Sequence, residues 1–158
     1  MKLLRMLLVM LTGFVIMCSV QASEKKDDPS VVPLLYLYNR QGETSFNCSF
    51  ALTPGNHELK RMPGCSNDNA YYFKLERPVD GMMILITDDP ECLQAKEPWA
   101  FYMIIDPEYG STSPLLRVDA AFNVPQRVEI ANGIYAMEAD TKGGKALAGK
   151  VSCVWSAN

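Results

Sequence analysis

Short apolar runs alternate with turn signals along the chain from Val31 onward, and this pattern predicts β-strands. In TSFNCSFAL (44–52), Phe46, Cys48 and Phe50 share one side and polar residues occupy the other, which is the two-residue period of a half-buried strand. PWAFYMIID (98–106) is apolar almost throughout and predicts a central strand buried on both faces. No stretch carries a sustained i, i+3, i+4 apolar stripe.

Regular spacing of these runs predicts about nine short strands, as in a sandwich or barrel. Only PECLQAKEPW (90–99) is compatible with one or two helical turns. The other predicted strands lie in VVPLLYLY, HELKRM, AYYFKLERP, MMILIT, LLRVDAAF, RVEIANGIYAMEAD and ALAGKVSCVW. Within RVEIANGIYAMEAD, Asn132-Gly133 can form a tight hairpin turn or a bulge. We therefore expect an all-β chain that forms a single antiparallel β-sandwich stapled by disulfides.

The N-terminal segment has the features of a secretory signal peptide. MKLLRM carries two positive charges, an uncharged apolar run follows, and Val20 and Ala22 occupy the positions that a signal peptidase reads. The predicted domains are a signal peptide over 1–22 cut after Ala22, a flexible tether over 23–30 and a β-sandwich over 31–158. The apolar run is shorter than the roughly 20 residues that span a bilayer, so no transmembrane segment is expected after processing. Acylation at Cys18, as in a lipoprotein, is an alternative.

Charge and cysteine content indicate the compartment and exclude some partners. The predicted mature chain has a net charge of −5, which disfavours nucleic acid as a partner. It keeps four cysteines, and an even number in an exported chain predicts two disulfides and a periplasmic or secreted location. Four cysteines allow three pairings; we favour Cys48–Cys65, which closes a short loop, and Cys92–Cys153, which ties the last strand to the middle of the chain.

Candidate catalytic residues are few. His57 is the one histidine and lies beside a turn, and no C-x-x-C or metal-ligand spacing is present, so no cofactor is predicted. Three carboxylates, Asp88, Asp89 and Glu91, share one loop rather than facing each other across a cleft. A small secreted hydrolase that uses His57 or this loop is therefore a secondary hypothesis.

The same acidic loop is a candidate contact surface. Loops on a rigid β scaffold commonly carry binding residues. Asp88, Asp89 and Glu91, together with the more distant residues Asp106 and Glu108, are candidates to fill a basic cleft in a partner. Tyr109 lies among small residues in PEYGSTSP and is a candidate aromatic anchor.

Two segments resemble a βγ-crystallin Greek-key unit over roughly residues 34–92. YLYNRQG (36–42) corresponds to the aromatic–glycine corner, and SNDNAYYFKLERPVDG (66–81) to the later half, where Asn and Asp enter a strand. The resemblance implies a Greek-key fold, and Asn67 and Asp68 stand where the family's calcium-binding form has its Asn/Asp ligand pair. Tyr71 and Tyr72 stand where the family's calcium-binding form has Ser or Thr, so the calcium motif is not intact.

These observations predict an exported, non-catalytic binding protein of the bacterial periplasm. Its expected partner is another protein, a secreted or periplasmic toxin or hydrolase, which it would occlude as inhibitors and toxin-neutralising immunity proteins do. Some βγ-crystallin-like proteins are peptidase inhibitors, which agrees with this prediction by analogy of fold. A Ca²⁺-stabilised structural module, which needs Asn67, Asp68 and Asp88 or Asp89 to converge, is the first alternative.

Overall fold

The computed structural model describes residues 32–108 and 110–158. The predicted signal peptide, the tether, Cys18 and Tyr109 lie outside the described residues. The described residues form ten β-strands in two antiparallel sheets, and they contain no α-helix. The strands are β1 Leu34–Tyr38, β2 Phe46–Ala51, β3 Gly55–Glu58, β4 Tyr72–Glu76, β5 Met83–Thr87, β6 Trp99–Ile104, β7 Leu116–Arg117, β8 Val128–Ala131, β9 Ile134–Asp140 and β10 Cys153–Ala157.

The two sheets enclose one hydrophobic core, so the predicted all-β fold is confirmed. The four-stranded sheet has the order β2-β1-β4-β7, and the six-stranded sheet has the order β3-β10-β5-β6-β9-β8. Alternate residues of β1 and β4 point into the core, and in β4 Phe73 and Leu75 are fully buried. Phe73 meets Tyr102 of β6 with ring centroids 5.3 Å apart. The Tyr102 hydroxyl donates a hydrogen bond to the carbonyl oxygen of Val118 at 3.0 Å.

Both predicted disulfides are present. Cys48–Cys65 joins β2 to the segment before β4, with Cα atoms 4.9 Å apart. Cys92–Cys153 joins the loop between β5 and β6 to β10, with Cα atoms 5.2 Å apart. The Greek-key connection stays a prediction. Among the described residues, no helix has the length and apolar character needed to cross a membrane.

The predicted alternation in β2 is wrong at Phe46. Leu37 pairs with Cys48 but Tyr38 pairs with Phe46, so Asn47 is the extra residue of a β-bulge. The bulge turns Asn47 inward, where its side chain exchanges two hydrogen bonds with the backbone of Ser66 at 2.8 and 3.0 Å. Phe46 is consequently turned outward and is 54% exposed.

Several strand boundaries also differ from the prediction. LLRVDAAF forms only the two-residue strand β7, because a 3₁₀ helix takes over at Ala120–Asn123. HELKRM divides in the same way between β3 and a 3₁₀ helix at Leu59–Arg61. The final strand begins at Cys153, and residues 146–152 precede it as turns and loop. In β6, Phe101 and Met103 are partly exposed, so this strand is not buried on both faces.

Candidate functional site

A row of side chains crosses the outer face of the six-stranded sheet. Trp155 of β10 pairs with Leu85 of β5, and Leu85 pairs with Phe101 of β6. The row ends at Asn56 of β3 on one side and at Glu138 of β9 on the other. Paired residues of antiparallel strands point to the same face, so these side chains are neighbours on the surface.

The loop between β5 and β6, residues 88–98, forms a wall beside this row. Cys92 ties the loop to β10 through Cys153, and the Asn56 Nδ2 donates a hydrogen bond to the carbonyl oxygen of Glu91 at 3.2 Å. Between the loop and the sheet lies an open cavity of about 470 Å³, which we call the groove. Its lining residues are Asn56, Leu85, Glu91, Cys92, Leu93, Gln94, Phe101 and Trp155.

The loop is held by its own polar side chains. The Asp89 Oδ1 accepts hydrogen bonds from the backbone N–H groups of Glu91 and Leu93 at 2.8 and 3.3 Å. Thr87 accepts from the Asp89 N–H at 3.0 Å and donates to the Pro98 carbonyl oxygen at 3.2 Å. With these bonds residues 90–98 form a loop, and the one or two helical turns with which the sequence PECLQAKEPW is compatible are not formed. Asp89 therefore shapes the loop, while Leu93 is left 50% exposed.

Asp88 does not line the groove. The Ser152 hydroxyl lies 3.0 Å from the Asp68 Oδ1 and 3.5 Å from the Asp88 Oδ1, so the two carboxylates share one donor. Burial raises the pKa of the Asp88 carboxyl, and the negative charges of Asp68 and Glu97 raise it further. Asp88 and Asp68 are therefore two like-charged groups that share a hydrogen-bond donor at the base of the loop.

The calcium alternative requires Asn67, Asp68 and Asp88 or Asp89 to converge. Asp68 and Asp88 do converge, while the Asn67 Oδ1 is buried without a hydrogen-bond partner among the described residues. Two carboxylates and one hydroxyl fall short of the six to eight oxygens that calcium takes, so other oxygens would have to complete a site. Within residues 32–108 and 110–158, no group of three or more His, Cys, Asp or Glu side chains is placed to hold a metal ion.

The other predicted contact residues lie elsewhere. Asp106 follows the far end of β6, where its backbone N–H donates a hydrogen bond to Asp80 at 2.7 Å, and Glu108 comes two residues later. The six residues of β6 separate this end from the acidic loop by about 20 Å. The structure therefore does not bring Asp106 and Glu108 together with Asp88, Asp89 and Glu91. Of the five, only Glu91 lines the groove.

His57 is also separated from the acidic loop. Asn56 faces Glu91 on the outer side of β3, whereas His57 packs against Phe50 with ring centroids 5.0 Å apart. Its Nε2 lies 2.9 Å from the Thr53 carbonyl oxygen, to which the Ser156 hydroxyl also donates at 2.7 Å. His57 is therefore not among the residues that line the groove with Glu91.

Sequence reasoning missed three groove residues, Leu85, Phe101 and Trp155. Apolar residues in predicted strands are expected to lie in the hydrophobic core, so they were not considered as surface residues. Their strands are apolar on both sides, and only the cross-strand register shows that these three residues meet on the outer face. One local signal was available. Leu93 is a large apolar side chain in an otherwise polar loop.

Comparisons with protein-family models, with curated proteins and with solved structures gave no match for this chain. The geometry of the site is therefore the basis for a functional proposal.

Proposed function

We propose that this protein is an exported, non-catalytic binding protein of the periplasm that occludes another protein through the groove face. The partner would be a secreted or periplasmic toxin or hydrolase, as for an inhibitor or an immunity-type protein. The observation that carries the proposal is the open apolar groove on the outer sheet face, walled by a loop that a disulfide anchors. Disulfides of this kind fit an oxidising compartment.

The groove has the character of an anchor pocket within a larger interface. Specific complexes bury about 800 Å² on each partner, and a few well-packed apolar or aromatic residues near the centre dominate the affinity. Trp155 and Phe101 supply aromatic surface on rigid strands, and Leu93 supplies an exposed apolar edge. Because the strands and the loop are already ordered, little conformational entropy would be lost on binding.

Capture from periplasmic and secreted extracts, with the mature chain as bait, tests the proposal. The informative bait variant is Leu93→Asp, which places a charge on the groove edge at an exposed position. The matched control is Ile105→Asp, at a position 42% exposed beyond the opposite end of β6. We expect a partner that binds the wild type and Ile105→Asp but not Leu93→Asp. Equal capture by all three baits would refute the groove as the binding site.

A Ca²⁺-stabilised structural module is the second candidate, and the observation in its favour is the approach of Asp68 and Asp88 to Ser152. An ion that binds only the folded state must raise the stability of the folded protein. A thermal melt with millimolar calcium and with chelator tests this candidate. An unchanged midpoint would eliminate it.

A further inference from the structure

We infer that the groove accepts an apolar side chain that is adjacent in its chain to an arginine or lysine. This inference rests on the proposed function and deepens it, because it states the chemistry of the partner segment. The occupant is a basic–apolar peptide segment. The apolar part follows from the floor of the groove and the basic part from the carboxylates at its rim.

The floor suits an apolar side chain. Leu85, only 5% exposed, lies between the rings of Trp155 and Phe101, and Cys92 of the disulfide closes one side. The volume of about 470 Å³ falls within the range of roughly 300–1,000 Å³ that is typical of ligand pockets. A groove of this size holds one or two large side chains and is open at the top to the rest of a peptide.

The rim carries negative charge that no other described residue neutralises. Glu91 is the one charged residue in the lining, and Glu138 ends the row next to Phe101. Both are exposed, and neither forms an ion pair with another described residue. Three other carboxylates of this sheet and its loops are paired with cations of the chain: Glu58 with Arg61, Asp140 with Lys142 and Glu97 with Lys145.

This contrast gives the groove a charge preference. Lys96 belongs to the same loop but does not line the groove, and none of the described lining residues is a cation. The Asn56 Nδ2 is engaged with the Glu91 carbonyl oxygen, so its side-chain oxygen can accept a hydrogen bond from a ligand. A guanidinium group also stacks favourably on aromatic rings such as those of Trp155 and Phe101. Anionic segments would be repelled by Glu91 and Glu138.

Four blocked peptides that differ in two residues provide the test. Their central pairs are Arg-Phe, citrulline-Phe, Glu-Phe and Arg-Gly, of which citrulline is the neutral isostere of arginine. Binding to the mature chain is measured by calorimetry and by the indole N–H resonance of Trp155. We expect the order Arg-Phe, citrulline-Phe, Glu-Phe from tightest to weakest, and no detectable binding of Arg-Gly.

Glu91→Gln tests the charge pair directly. An exposed pair is worth a factor of about two to five in affinity, so the preference for Arg-Phe over citrulline-Phe should fall by that factor. Added salt should weaken Arg-Phe binding to the wild type more than to Glu91→Gln. Glu108→Gln, beyond the other end of β6, is the control and should leave all affinities unchanged.

The outcomes separate this inference from the proposed function. Equal binding of Arg-Phe and citrulline-Phe, with no effect of Glu91→Gln, would overturn the basic–apolar assignment. Absence of binding by every peptide at millimolar concentration would also overturn it. In both cases the proposed function survives if Leu93→Asp still abolishes capture of a protein partner, and it fails if Leu93→Asp captures as the wild type does.

Discussion

The outer faces of the two sheets are both rich in aromatic residues, but they differ in how their polar groups are used. On the four-stranded sheet, Phe46 of β2, Tyr38 of β1 and Tyr72 of β4 form a row by register, and the Arg117 guanidinium lies 5.9 Å from the centroid of the Tyr72 ring. Phe46 packs on the ring of Tyr38 at 5.9 Å between centroids, nearly edge to face. The aromatic surface of Phe46 is thus partly covered by the rings of Tyr36 and Tyr38.

The charged groups of that face are satisfied within the chain. The Tyr36 hydroxyl donates to Glu76 at 2.6 Å, and Arg117 makes two hydrogen bonds to Asp119 at 2.8 Å. Lys74 pairs with Glu43. On the six-stranded sheet, by contrast, the Glu91 carboxylate stays unpaired among the described residues, beside an open apolar floor. The two faces therefore do not differ in aromatic content. They differ in that the six-stranded sheet has an open groove and a carboxylate that no other described residue pairs with.

The largest expected effect comes from removing each disulfide in turn. Cys92→Ser with Cys153→Ser releases the groove wall, whereas Cys48→Ser with Cys65→Ser leaves it tied. The sequence separations are 61 and 17 residues, so loop-closure entropy predicts about 1 kcal/mol more destabilisation for the first pair, within losses of about 2–4 kcal/mol each. Urea unfolding measures the stability. Peptide binding should be lost only in the first variant, and its loss in both would mean that the groove depends on the whole sandwich.

Truncation of one aromatic ring on each face compares the faces directly. Phe101→Ala removes part of the groove floor, and we expect at least a tenfold loss of peptide affinity, as for a central interface residue. Phe46→Ala, at a position 54% exposed, should leave that affinity unchanged and lower the free energy of unfolding by about 0.5–1.5 kcal/mol through lost ring contacts. Calorimetry and urea unfolding of both variants give the two readouts. Reversed results would move the binding site to the four-stranded sheet.

Tyr36→Phe tests whether the four-stranded face is held by its internal bonds. Loss of the hydrogen bond to Glu76 should lower the free energy of unfolding by about 0.5–1 kcal/mol at pH 7. The bond to Glu76 is the main cause of a raised pKa of the Tyr36 hydroxyl in the folded protein, and burial adds to it. This stabilisation is complete below the unfolded pKa near 10 and is lost as the pH rises through the folded value.

The measurement for Tyr36→Phe is urea unfolding at pH 7 and at alkaline pH. The difference in stability between the wild type and Tyr36→Phe should shrink at alkaline pH. A difference that is independent of pH would mean that Glu76 does not stabilise the hydroxyl. Peptide affinity at pH 7 should be the same for both proteins.

Features set by short-range pattern were predictable from the sequence, and those set by register were not. The β-hairpin at Asn132-Gly133 follows from local turn chemistry and is present. The two disulfide pairings, which we favoured among the three that four cysteines allow, are also present. The bulge at Asn47 reversed the side on which Phe46 lies, because one extra residue shifts the two-residue period. A strand pattern does not reveal such an insertion.

Strand register limits the prediction of the candidate site even more strongly than that of the fold. Glu91 was identified because an acidic loop is visible in the sequence. Trp155 and Leu85 are 70 residues apart in the sequence and meet only because β10 pairs with β5. Asp106 and Glu108 lie apart from the acidic loop for the converse reason, since β6 runs between them. Contacts across strands of distant sequence position decide which residues share a surface.

The smallest expected effect concerns Asp88, whose carboxylate lies beside Asp68 at the base of the groove wall. Its folded pKa is raised, first by burial and then by Asp68 and Glu97, so the folded protein binds a proton more readily than the unfolded chain does. The destabilisation from this group is therefore absent below the unfolded pKa near 4 and grows as the pH rises through the folded value. Asp88→Asn should raise the free energy of unfolding at pH 7 by less than about 1 kcal/mol, because the group is partly solvated.

Urea unfolding of the wild type and Asp88→Asn between pH 3.5 and 7 checks this sign. The advantage of Asp88→Asn should vanish at the acid end, where the wild-type carboxyl is protonated as well. Asp89→Asn is the matched comparison, because the Asp89 Oδ1 accepts hydrogen bonds from two backbone N–H groups and, among the described residues, shares no donor with a second carboxylate. A lower stability of Asp88→Asn than of the wild type at pH 7 would contradict this expectation. It would show that a favourable partner, such as a bound cation, stabilises the Asp88 carboxylate, and it would support the calcium candidate.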